Sequence, residues 1–160
     1  MRMTLSKRVC AIICAVALVL SAINTYLVLD LRINYRPGDS EYDYVIFQEN
    51  GLCKARSQTS GSIDFASANA SLVMNQAIAR GNSVYLKPDN YTLNADVQAY
   101  NKKNAKLVSD GASIIGNGKK LIVKGDNYTC SQYNLVSGLR IINGTVTIEN
   151  SFGTTILNMI

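Results

Sequence analysis

The chain has 160 residues, 48% of them apolar, with 16 Lys plus Arg against 11 Asp plus Glu and neither His nor Trp. That length accommodates one modest domain with a core, and the lack of His excludes serine-triad and papain-like catalysis and most zinc hydrolases. Four Cys without a Cys-x-x-Cys pair give no thiolate zinc cluster, so neither a metal nor a cofactor is expected.

Residues 1–8 form a basic tail carrying Arg2, Lys7 and Arg8. Residues 9–29, VCAIICAVALVLSAINTYLVL, are uncharged; as a helix they would span about 31 Å, the thickness of a hydrocarbon core. The basic residues ahead of this segment place the N-terminus in the cytoplasm and the rest outside a cell membrane. Two readings stay open: an uncleaved single-pass anchor, or a signal segment cleaved near Val19-Leu20-Ser21 to release a secreted protein. Residues 30–43, with Pro37-Gly38, read as a polar stalk.

From Asp30 onward the balance is 13 basic residues against all 11 acidic ones. The lysines gather only at Lys102, Lys103 and Lys106 and at Lys119, Lys120 and Lys124, with no nucleic-acid-binding motif beside them. Nucleic acid is therefore not an expected partner. Export makes Cys53 and Cys130 a candidate disulfide, with two buried free thiols as the other reading. It also makes Asn69, Asn90, Asn127 and Asn143, each in Asn-x-Ser/Thr, candidate glycosylation sites.

Residues 44–160 carry the ordered pattern. Tyr44–Phe47 and Leu52–Ala55 flank a Gln48-Glu49-Asn50-Gly51 turn and predict a hairpin. Residues 68–80 predict a helix: Leu72, Val73, Met74, Ala77 and Ile78 give one apolar stripe, Ser67 is the expected N-cap and Gly81 the expected left-handed stop. After Gly81 short apolar runs alternate with Gly, Asn and Asp: 83–86, 91–93, 106–108, 113–115, 120–123, 138–142, 145–148 and 154–157. Leu139, Ile141, Val146 and Ile148 are expected on one face. Asn143-Gly144 fits either a type I′ hairpin or a corner between two faces of a coil.

The order of these features resembles the N-terminal part of right-handed parallel β-helix proteins of the pectate-lyase-like superfamily, including its rhamnogalacturonase and epimerase-like branch. The string that carries the resemblance is Ile63-Asp64-Phe65, the helix end Asn75-Gln76-Ala77-Ile78-Ala79-Arg80-Gly81, and Ser83-Val84-Tyr85-Leu86-Lys87-Pro88-Asp89-Asn90-Tyr91-Thr92-Leu93. Residues 109–118 and 136–144 are similar to later coils. Asn82 and Asn90 stand where that family often has Gly. The resemblance implies an all-β fold, a partial parallel β-helix of about three coils whose first coil is capped by the helix. It also implies contact with, or processing of, extracellular polysaccharide; a whole enzyme of this kind would be a polysaccharide lyase or a glycoside hydrolase. The family's Asp clusters and its Asn-Thr-Asp, Gly-His-Gly and Arg-Ile-Lys motifs do not occur here, so no catalytic residue is assigned. The alternative is a non-catalytic cell-envelope or adhesion module.

Asp64, Asp89, Asp96, Asp110 and Asp126 are too scattered for a calcium site and read as turn residues. Tyr85, Tyr91, Tyr100, Tyr128 and Tyr133 are candidates for stacking on sugars, with packing as the commoner use. The apolar pattern at Thr155–Leu157 has no polar cap. This predicts either further coils downstream or a partner, including self-association, over the last one.

Overall fold

The computed structural model describes residues 41–126 and 130–159. The 9–29 segment lies outside them; among the described residues no helix is long and apolar enough to cross a membrane.

The chain opens on an antiparallel hairpin, β1 (Tyr44–Glu49) and β2 (Leu52–Ser57). Asn50 and Gly51 both have positive φ, 53° and 74°, which a two-residue type I′ turn demands. Strand β3 (Ile63–Ser67) pairs antiparallel with β2, and helix α1 (Ala70–Arg80) follows.

The helix starts later than the sequence suggests. Asn69 is the N-cap, its Oδ1 accepting from the Leu72 amide, while Ser67 Oγ accepts from the Asn69 amide one step earlier. The buried face is Ala70, Ser71, Val73, Met74, Ala77 and Ile78. Leu72 is 47% exposed and falls off the stripe. Ser71 is fully buried instead, because its hydroxyl accepts from the amides of Asn94 and Ala95; a satisfied hydroxyl is cheap to bury. Leu72→Gln is expected to shift stability by less than about 0.5 kcal/mol in urea unfolding, as exposed positions do.

Gly81 is not a left-handed stop. Its φ of −108° and ψ of 167° are extended. The position excludes a side chain for another reason: a Cβ there would lie 2.8 Å from Asp43 Cβ and 2.9 Å from Tyr44 Cδ2. Lys102 Nζ then donates to the Ala79 and Gly81 carbonyls at the helix end, where the dipole favours a cation.

After Gly81 the strands wind into a parallel solenoid of about three turns. The first turn holds β4 (Ser83–Leu86), β5 (Asn90–Thr92) and β6 (Val97–Tyr100). The second holds β7 (Lys106–Ile115), β8 (Lys120–Lys124) and β9 (Ser131–Gln132). The third holds β10 (Leu135–Ile142), β11 (Thr145–Glu149) and β12 (Ser151–Phe152), and β13 (Thr155–Leu157) stacks on β10. Every pairing between successive turns is parallel. β10 and β11 belong to different sheets, so Asn143-Gly144 is a corner and not a hairpin turn. The runs at 106–108 and 113–115 merge into the single strand β7, which bends at Gly111, φ 117°.

Inward side chains stack in register. Tyr44, Val84, Leu107, Val136 and Ile156 form one column, and Tyr91, Ile114 and Ile141 another. Val97, Leu121 and Val146 stand beside Ala99, Val123 and Ile148. Ile148 keeps the expected inward register yet is 42% exposed, since β11 is the last strand of its sheet. At the other end α1 packs on β2, β3 and β6 and joins its buried face to the columns. Covering Val73 and Met74 alone contributes about 1.5–3 kcal/mol each.

Candidate functional site

A void in the lumen, bordered by Ile78, Val84, Leu107, Leu121, Val123 and Val136 among others, measures about 20 Å³. That is the space of roughly one water, and the lining is apolar.

The open pocket lies at the foot of α1. It has a volume of about 240 Å³ and is lined by Asp43, Tyr44, Ser57, Thr59, Arg80, Gly81 and Asn82. Its construction follows from the chain just before β1. Asp43 Oδ2 accepts from the amides of Asn82 (2.7 Å) and Ser83 (2.9 Å), and the Asp43 amide donates to Ser83 O. Tyr42 stacks on Tyr85 with ring centroids 5.2 Å apart. Residues 42 and 43, the end of the stretch read as a stalk, are thus fastened to the solenoid. Asp43 and Arg80 face one space because Gly81 lets the backbone pass close.

Among the described residues, several groups that line this pocket are left without a hydrogen-bond partner. Arg80 makes no hydrogen bond and no ion pair within contact distance, and the side chains of Thr59 and Asn82 make no hydrogen bond. Asp43 uses one carboxylate oxygen, leaving Oδ1 as an acceptor. Gln58, between two lining residues, has its Nε2 buried without an acceptor. Tyr44 donates to Asp64 Oδ2 at 2.8 Å, which, with Ser62, holds the Asp64 carboxyl below the usual carboxylate range. Burial lowers the Lys102 ammonium, against the opposing pull of Asp43.

The Asp residues mostly serve the backbone and their neighbours. Asp89 accepts from the Asn90 amide and Asp96 from the Lys120 amide; Asp110 accepts from Tyr85 Oη and Asp126 from Asn101 Nδ2. No group of three or more metal-ligating side chains occurs among the described residues.

No protein-family model, curated protein or solved structure matches this chain.

The tyrosines divide. Tyr91 is buried, its hydroxyl within reach of the Ile46 and Lys87 carbonyls, and burial raises its pKa. Tyr85 is buried and bonded to Asp110; Tyr100 is exposed; Tyr128 lies outside the described residues. Tyr133 is 55% exposed and meets Phe152, 63% exposed, edge-on at 5.6 Å. Tyr133 is held at φ 51°, a left-handed conformation rare for a bulky residue. Asn104 below it and Gly153 above it, φ 58° and 65°, share that conformation, so the corner repeats in three successive turns.

Of the candidate glycosylation sites, Asn69 is the helix cap, Asn90 is exposed at the start of β5, Asn143 is exposed at its corner, and Asn127 lies outside the described residues. Cys53 and Cys130 are both free thiols, one buried in β2 and one exposed just before β9. Burial, then the field of Asp89, pushes the Cys53 thiol up to about 12 from 9.0. Because the folded value is the higher one, the stabilisation is whole below pH 9 and is lost as pH rises toward 12. Urea unfolding of the full chain against Cys53→Ala is expected to show a smaller alkaline loss for the variant. Maleimide is expected to label Cys130 in the native protein and Cys53 only after unfolding.

The sequence does not reveal the pocket. Asp43 sits in a stretch that reads as a stalk, and Arg80 reads as a dipole complement. The one usable signal is the Arg-Gly-Asn sequence closing an amphipathic helix, which puts a cation and an amide at a close backbone crossing.

Proposed function

We propose that this chain is an exported, membrane-anchored β-solenoid of the pectate-lyase-like kind that contacts extracellular polysaccharide without turning it over. The observation that supports this reading is the open polar pocket at the foot of α1. It presents a guanidinium, an amide, a hydroxyl and a carboxylate oxygen, all without partners among the described residues. Pockets that bind sugars need such mixed donors and acceptors, since each ring hydroxyl both gives and takes hydrogen bonds. The exposed Tyr133–Phe152 corner adds an apolar surface on a rigid mount.

A second reading, a non-catalytic envelope or adhesion scaffold, is favoured by the carboxylates. Asp64 is engaged through both carboxylate oxygens and Asp89, Asp96, Asp110 and Asp126 each through at least one, so these carboxylates serve the fold.

The full chain in detergent micelles is the material for the test. Retention on immobilised polysaccharides with no unsaturated or reducing-end product supports contact without turnover. Product formation overturns the non-catalytic part, and no retention on any polysaccharide leaves the scaffold reading. Export is tested separately. A membrane-impermeant maleimide is expected to label intact cells through Cys130 and to lose that signal in Cys130→Ser; labelling only after lysis refutes an outward solenoid.

A further inference from the structure

We infer that the pocket at the foot of α1 takes a single neutral sugar ring, gripped by adjacent hydroxyls, and not the carboxylate of an acidic sugar. The inference rests on the polysaccharide reading and narrows the ligand class of the same site.

Charge decides the class. Arg80 is the one cation among the lining residues and Asp43 the one carboxylate. Lys102 donates to the carbonyls of Ala79 and Gly81 and stands in the field of Asp43. Asp64 lies close enough for Arg80 to lower its pKa. Arg80 and Lys102 are balanced by Asp43 and Asp64, so an acidic ligand gains no net attraction and must approach the lining carboxylate of Asp43, which a neutral ligand meets as a hydrogen-bond acceptor. Like-charge approach disfavours an anion even where a guanidinium is present.

Hydrogen-bond capacity decides the shape. Asp43 Oδ1 only accepts, the Arg80 guanidinium only donates, and the Asn82 amide and Thr59 hydroxyl do both. A hydroxyl giving its proton to Asp43 and accepting from Arg80 is satisfied on both counts, and its neighbour on the ring finds Asn82. The only aromatic side chain in the lining, Tyr44, packs its ring against Phe65 at 5.6 Å and has its hydroxyl on Asp64. It is therefore not a free stacking face, and the ring is held by its edges.

The test is an NMR titration of the full chain in micelles with methyl glycosides of neutral hexoses and, in parallel, with methyl glucuronide. Saturable shifts at residues 57–59 and 80–83 are expected for a neutral glycoside, and binding at least about tenfold weaker for the glucuronide. Arg80→Gln and Asn82→Ala, at exposed side chains without hydrogen bonds, are each expected to weaken the neutral glycoside about tenfold. Thr59→Val is expected to weaken it less, and Lys119→Gln, outside the pocket, not at all. Glucuronide binding as tightly as the neutral glycosides, or Arg80→Gln and Asn82→Ala leaving affinity unchanged, overturns the inference. If immobilised acidic polysaccharide retains the chain while neutral glycosides do not bind, this inference fails and the polysaccharide reading survives. If no glycan of either kind binds, both fail.

Discussion

Gly138→Ala is expected to destabilise the solenoid by about 3 kcal/mol or more, lowering the thermal midpoint by roughly 10 °C in circular dichroism. Two effects coincide there. Gly138 has φ 70°, and a Cβ on it would fall inside the van der Waals shell of the Ser109 carbonyl oxygen. Ser109 is buried in the turn beneath, so its backbone has nowhere to retreat. Gly118→Ala separates the two effects. That residue has φ 79° but no atom within 4 Å of the added Cβ, so only the left-handed cost of about 1–2 kcal/mol remains. Equal losses in the two variants would mean that the crossing over Ser109 is not tight.

Ile114→Ala is expected to cost about 3–4 kcal/mol, read as a lower urea midpoint with an unchanged slope. Ile114 is 1% exposed and stacked between Tyr91 and Ile141, so truncation leaves a hole that rigid strands above and below cannot close. Ile148→Ala removes the same atoms from an equally inward register. It is expected to cost about 1 kcal/mol or less, because Ile148 has a neighbouring strand on one side only. Similar losses at the two positions would show that burial along the columns is more even than the structure has it.

The alternation of apolar and polar residues from Ser83 onward makes the strands legible and the Ala77-Ile78 stripe the helix, while their stacking and the helix's place as a cap come from the resemblance to parallel β-helix proteins. Leu72 falls off the expected stripe and Ser71 escapes it because periodicity sees only side-chain polarity. The amides of Asn94 and Ala95, which make Ser71 welcome in the interior, come from a distant loop. Gly81 was placed correctly and explained wrongly, since a glycine required by a passing chain leaves the same mark as one required by a positive φ. At Asn143-Gly144 local turn chemistry favours neither pairing partner, and the columns through Leu107, Val136 and Ile156 had to decide. The pocket was illegible for a related reason: its walls come from the two sides of α1, and the bond from Asp43 to the Asn82 and Ser83 amides that joins them leaves no periodic trace.

Between Val108 and Ala112 the second turn has three residues where the third, between Ser137 and Leu139, has Gly138 alone. The ladders resume in register on both sides, so the surplus is thrown outward at one corner. Such a fold tolerates unequal repeat lengths provided the excess stays at a bend. The exposed Asp110-Gly111 step is accordingly the place to graft a peptide epitope or a reporter loop with the stacked interior left intact.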